Sequence, residues 1–162
     1  MKSEIKRKIK AAGAVAFLFY IAALIYFLFF AERNSGLEFA QREYHYNLTP
    51  FQEIKRFWYY RGQLGTVAVV SNLLGNVVGF IPFGLILPII SRNARGFFFI
   101  TFSGFTLSLG VETIQLISKV GCFDVDDLIL NTMGAALGYL IFDVSHFIYR
   151  RYRRKLYGKK TL

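Results

Sequence analysis

A chain of 162 residues that is 54% apolar and 19% charged is short enough for one domain and too hydrophobic to be disordered. Its net charge of +10 admits nucleic acid as a partner, but the cations sit at the edges of apolar runs, which points to topology signals beside membrane spans instead. One cysteine, Cys122, excludes an internal disulfide, and no Cys/His spacing resembles a zinc site.

Four runs define the elements. Ala11–Ala31 holds 21 residues without a charge, Gly62–Ser91 holds 30, Gly96–Ser118 holds 23 broken only by Glu112, and Leu128–Tyr149 holds 22 broken only by Asp143. About 20 apolar residues carry a helix across the hydrocarbon core. The runs are continuous rather than alternating, which disfavours a transmembrane β-barrel. The expected fold is therefore all-α: a polytopic membrane protein forming one domain over 1–162, with spans about 11–31, 66–90, 96–118 and 126–149 and an outer loop at 32–65. The first run follows a basic segment as a secretory signal does, but it is too long and ends in Phe29-Phe30-Ala31, so it reads as an uncleaved anchor.

Fourteen Lys and Arg residues fall before span one, between spans two and three, and after span four, against 6 on the other side. The positive-inside rule then puts both termini in the cytoplasm and the 32–65 loop outside. In that loop Phe51, Ile54 and Trp58, followed by Tyr59 and Tyr60, suit a short helix lying in the interface. Membrane lipids are expected partners and nucleic acid is not.

Polar residues in three spans converge on the outer end. Asn72, Asn76 and Gly79 lie at +4 and +3; Gly104, Ser108, Glu112 and Gln115 at +4, +4 and +3; Asp127, Asn131, Gly134 and Gly138 at +4, +3 and +4. Each stripe is small toward the cytoplasm and polar toward the outside, and Gly75–Gly79 and Gly134–Gly138 are GxxxG pairs that let helices approach in lipid. The expected shape is a bundle closely packed below that opens into a polar cup above. An intramembrane carboxylate is costly, which makes Glu112 the first candidate for function, with a hydrogen-bond hub among Asn72, Asn76 and Asn131 as the structural reading. Pro82 is expected to kink span two. Asp143, His146 and Arg150 lie one turn apart near the cytoplasmic end, where snorkelling accounts for them.

The strings Asn47-Leu48-Thr49-Pro50-Phe51, Asn76-Val77-Val78-Gly79-Phe80-Ile81-Pro82-Phe83-Gly84, Glu112-Thr113-Ile114-Gln115, and Asp124-Val125-Asp126-Asp127 through Asn131-Thr132-Met133-Gly134 resemble the VanZ-like family in order and spacing. The resemblance covers about 44–140. It implies a small membrane protein of the bacterial cell envelope related to low-level resistance to teicoplanin, a lipid-tailed glycopeptide. Carried over by position, it marks Asn47, Asn76, Glu112, Gln115, Asp124, Asp127 and Asn131, to which spacing adds Asn72. Gly121-Cys122 departs from relatives that carry an arginine before the Phe-Asp of the last motif, so a scheme needing a cation there lacks it.

Two functions of different class follow. One is binding or shielding at the outer leaflet, the cup and aromatic loop engaging a lipid-linked cell-wall molecule or a lipoglycopeptide tail, with no cofactor. The other is an enzyme on a lipid-linked substrate, with Glu112 as acid or base and Asp124 and Asp127 as ligands for Mg²⁺ or Ca²⁺. A small transporter is a third, and with four spans it would need an oligomer.

Overall fold

A computed structural model describes residues 2–30, 43–60, 62 and 66–157. Four long helices account for most of the chain: α1 (Lys2–Phe30), α3 (Thr66–Ile90), α4 (Phe97–Ser118) and α5 (Val125–Tyr157). All four are long and apolar enough to cross a membrane. The first and last extend well beyond the expected spans into the flanking basic segments. Between them lie β1 (His45–Asn47), the short helix α2 (Gln52–Tyr59) and β2 (Cys122–Asp124). β1 and β2 pair in parallel, with His45 opposite Cys122, Tyr46 opposite Phe123 and Asn47 opposite Asp124. These three elements gather at one end of the bundle, the loop end. The α3–α4 turn and the distal part of α5 form the other, basic end.

α5 is the central helix, and it packs on α3 through interlocked glycines. A Cβ on Gly134 would stand 3.0 Å from the Val77 carbonyl carbon and 3.0 Å from Phe80 Cβ. One on Gly138 would stand 3.0 Å from both the Ile81 carbonyl carbon and Leu85 N. From the opposite side, a Cβ on Gly84 would lie 2.8 Å from the Ala135 carbonyl carbon and from Tyr139 N. Lipid gives no hydrophobic drive for helices to associate, so this backbone-to-backbone approach is the attraction that holds the pair. On the other flank, Gly104 of α4 admits the Ala135 methyl.

The Gly134–Gly138 pair thus does what its spacing predicts, whereas Gly75–Gly79 does not. Both of those glycines have open space where a Cβ would go. The face of α3 that meets α5 runs through Asn76, Val77, Phe80, Ile81 and Gly84, one position away from the expected stripe. The Gly79 carbonyl instead accepts the Tyr20 hydroxyl at 2.9 Å, and the Phe17 and Phe83 rings meet at 5.9 Å. α1 therefore lies antiparallel along α3, on the outside of the bundle, and every described residue of its span is at least partly exposed.

α3 runs unbroken through Pro82 and Pro88. On α4 and α5 the hydroxyls of Thr101, Thr106, Thr113 and Thr132 each donate to the carbonyl four residues earlier, which satisfies them without water. Nearer the basic end, Ala94, Ile100, Tyr139 and Phe142 form a buried apolar cluster, flanked by Leu85, Leu87 and Ile89.

Candidate functional site

The loop end collects the polar residues, as their spacing predicts, but most of those among the described residues are buried rather than lining an open cup. Glu112 is 2% exposed, Gln115 4%, Asp124 7%, Asp126 1% and Asn131 2%. The reason is a docked loop. Segment 43–60 lies over the start of α5, fixed by side chains whose partners are more than 70 residues away.

Asp126 is the main anchor. One carboxylate oxygen accepts the Phe51 backbone N–H, and the other accepts those of Glu53 at 2.8 Å and Ile54 at 3.1 Å. These are donors at the N-terminus of α2, where helical N–H groups lack partners within the helix and the dipole favours an anion. Phe51 itself holds a left-handed conformation, φ 63°, and offers no side-chain cap. Asp126 supplies that cap from another part of the chain. The expected Phe51–Ile54–Trp58 stripe is accordingly not one helical face: Phe51 precedes α2, Ile54 is half-buried, and Trp58 is 69% exposed.

Asp124 extends the clamp. Its carboxylate accepts from Asn47 Nδ2 at 3.2 Å and from the Asp126 N–H at 2.7 Å, the second bond capping the start of α5. Its own N–H donates to Glu112 Oε2 at 3.1 Å. Asn47 Oδ1 in turn accepts the Thr49 N–H at 3.1 Å, which sets the turn leading into α2. Glu112, Asp124 and Asn47 therefore form a continuous chain of contacts from α4 through β2 to β1.

The amides tie helices together. Asn76 Nδ2 donates to Asp127, joining α3 to α5, and Asn131 Nδ2 donates to Ser108 Oγ at 2.9 Å, joining α5 to α4. Asn131 Oδ1 is enclosed and meets no donor among the described residues. Gln115 is buried, and its carbonyl closes the α4 terminus by accepting the Val120 N–H at 3.2 Å and the Ser118 hydroxyl at 3.2 Å. Asn72 belongs to α3, but its side chain lies outside the described residues.

Acidic groups dominate the electrostatics here. The Glu53 carboxyl is raised above its ordinary range by partial burial and by Asp124 and Asp126, even though Arg56 stands 2.7 Å away. Burial, then Asp124, Glu53, Glu112 and Asp127, push the Cys122 thiol up. Asp124 and Asp127, the expected ligands of a hard cation, both serve as acceptors within the clamp. Among the described residues no three Asp, Glu, His or Cys side chains are grouped so as to hold a metal ion.

Sequence reasoning placed Asp126 in the first turn of α5 without giving it a role. The only local signal was the density of acids at 124–127, a pattern suited to helix N-termini, and nothing in it points to a second helix N-terminus as partner.

Beside the exposed side of α2, a groove of about 650 Å³ is lined by Ile54, Trp58, Tyr59, Tyr60 and Leu73 together with the polar side chains of Gln52, Lys55 and Arg56. Trp58 and Tyr59 are 69% and 82% exposed.

No solved structure matches the chain. Protein VanZ of Enterococcus faecium is 32% identical over 142 residues, covering 86% of this chain and 77% of that protein. Residues 17–146, which take in α3, α4, parts of α1 and α5 and the whole loop-end clamp, match the VanZ/LLP1 family. The chain is an integral membrane protein, and it belongs to the VanZ/LLP1 family.

Proposed function

We propose that this protein protects the cell envelope against lipid-tailed glycopeptides such as teicoplanin, by holding an acyl tail or a lipid-linked cell-wall molecule against α2 on the outer side of the cytoplasmic membrane. The observation that carries this reading is the anchored loop. A buried carboxylate, Asp126, fixes the N-terminus of α2, while the other end of that helix presents Trp58, Tyr59 and Tyr60 in the open. Aromatic rings on a fixed helix suit the membrane interface, where an apolar body and a polar tip are both satisfied. The adjacent groove has a mostly apolar wall, as an acyl chain requires, with Lys55 at hand for a polar or anionic head. The 14-to-6 distribution of cations supports cytoplasmic termini and an outward loop end.

Binding rather than catalysis is the better account because the buried acids already serve as hydrogen-bond acceptors for the fold. Expression in a susceptible host, with growth inhibition measured for teicoplanin and for a glycopeptide lacking the acyl tail, tests the reading. The wild type is expected to protect against the tailed compound selectively, and Trp58→Ala with Tyr59→Ala to remove protection at unchanged membrane abundance. Equal protection by that double variant would exclude the aromatic groove as the site.

A further inference from the structure

The strongest concentration of charge lies at the opposite end of the molecule. A cavity of about 890 Å³ opens there between α1, the α3–α4 turn and the distal part of α5. Six cations line it, Lys10, Arg92, Arg95, Arg150, Arg153 and Arg154, together with His146, and none of the described residues lining it carries a carboxylate. They come from three separate segments, so the grouping belongs to the fold and not to one basic tail.

Two of the walls are organised. Arg95 Nε donates to the Pro88 carbonyl at 3.0 Å, and its guanidinium lies 5.5 Å above the Phe142 ring. His146 stacks on Phe142, with centroids 5.6 Å apart and planes 11° apart. Arg95 is thus held by its Nε and its π-face, and no hydrogen bond within the described residues engages its two terminal nitrogens, the fork that matches phosphate oxygens. Ile9 and Ile89, from the ends of the α1 and α3 spans, complete the wall on the apolar side.

We infer that this cavity is a binding site for the headgroup of an anionic lipid carrying two phosphates. Like charges brought together from three segments repel, and an anion of more than one charge is the ligand that turns this repulsion into affinity. One phosphodiester would leave most of Lys10, Arg92, Arg95, Arg150 and Arg154 without a counter-charge from the ligand. The position at the ends of the spans, with isoleucines beside arginines, favours a lipid over a soluble anion, because acyl chains can pass beside the helices while the phosphates face the guanidinium groups. This inference is independent of the reading of the loop end and holds whichever way the protein faces.

Delipidated protein in a zwitterionic detergent, titrated separately with cardiolipin, phosphatidylglycerol and inorganic pyrophosphate and followed by native mass spectrometry, tests it. Cardiolipin is expected to bind at least about tenfold more tightly than phosphatidylglycerol, and Arg92→Gln with Arg95→Gln and Arg150→Gln to weaken it by about tenfold or more. Arg150→Gln with Arg154→Gln, which leaves the Arg95–Pro88 contact intact, is expected to weaken it several-fold and serves if the triple variant does not fold. A control that removes three cations outside the cavity, Arg7→Gln with Lys8→Gln and Arg151→Gln, is expected to bind like the wild type. Equal losses in the control and cavity variants would reduce the effect to general surface attraction and overturn the inference. So would equal affinity for the two lipids, or pyrophosphate binding as tightly as cardiolipin, which would assign the cavity to a soluble anion.

Discussion

Asp126→Asn isolates the anchor of the outer loop. The substitution keeps the shape of a side chain that is 1% exposed, but it leaves one acceptor oxygen where the carboxylate has two. If that oxygen faces the Glu53 and Ile54 N–H groups, the amide NH₂ is turned toward the Phe51 N–H, donor against donor. One charge-assisted hydrogen bond is worth about 1.5–3 kcal/mol, and the loss of charge at the α2 N-terminus adds about 0.3–1 kcal/mol. The loop should therefore open more readily by about 2–4 kcal/mol, or by about 30-fold to several hundred-fold. Hydrogen–deuterium exchange in detergent reads this directly. Amides of 51–56 are expected to lose protection by that factor, while those of 128–139 in the middle of α5 keep theirs, because the glycine seam with α3 is untouched. Asp126→Ala, which removes all three acceptor contacts, is expected to go further in the same direction. Unchanged protection at 51–56 in Asp126→Asn would show that the carboxylate does not hold the loop, and uniform loss across α5 would show that it holds the bundle instead.

Gly134→Ala is expected to cut folded yield sharply, since its methyl would meet the Val77 carbonyl and Phe80, while Gly79→Ala is expected to leave yield unchanged; size-exclusion profiles of the two variants decide it. The Cys122 thiol, although exposed, is expected to react slowly with a maleimide near neutral pH and to accelerate only above the ordinary thiol range, because its raised pKa keeps it protonated; Glu53→Gln removes one of the charges that raise it and should speed labelling at fixed pH, and identical rates would mean that the acidic cluster does not reach the thiol.

Helical periodicity made most of the bundle legible. On α4, Gly104, Ser108, Glu112 and Gln115 are all buried, and on α5, Asn131, Gly134 and Gly138 are buried as their spacing requires. The α3 stripe was less legible for a physical reason: α3 has a neighbour on two sides, and periodicity marks a face without saying which helix it meets. Asn76 turns to α5, whereas Gly79 turns its carbonyl to Tyr20 of α1. The loop-end clamp was legible only as a collection of polar residues. Its decisive contacts join positions 72–77 residues apart, and two strands of three residues each carry too little pattern to announce a pairing. The expectation of an open cup followed from the same gap, because spacing along the spans says nothing of what the 43–60 segment covers.

The start of α5 explains why four acids sit close together at the edge of a membrane protein, where isolated charges are costly. Consecutive helix positions are turned by about 100°, so Asp126 and Asp127 address different partners: Asp126 faces the N–H groups of α2, and Asp127 faces Asn76 of α3. Asp124, just ahead of the helix, receives Asn47 and caps α5 itself, and Glu112 receives the Asp124 N–H from α4. Each acid answers donors from a different element, so that one stretch of four residues connects the loop and three helices. A carboxylate is suited to this where an amide is not, because Asp126 must accept from three N–H groups and donate to none. The charge at this end is therefore met by backbone and side-chain amide donors that the fold has to satisfy.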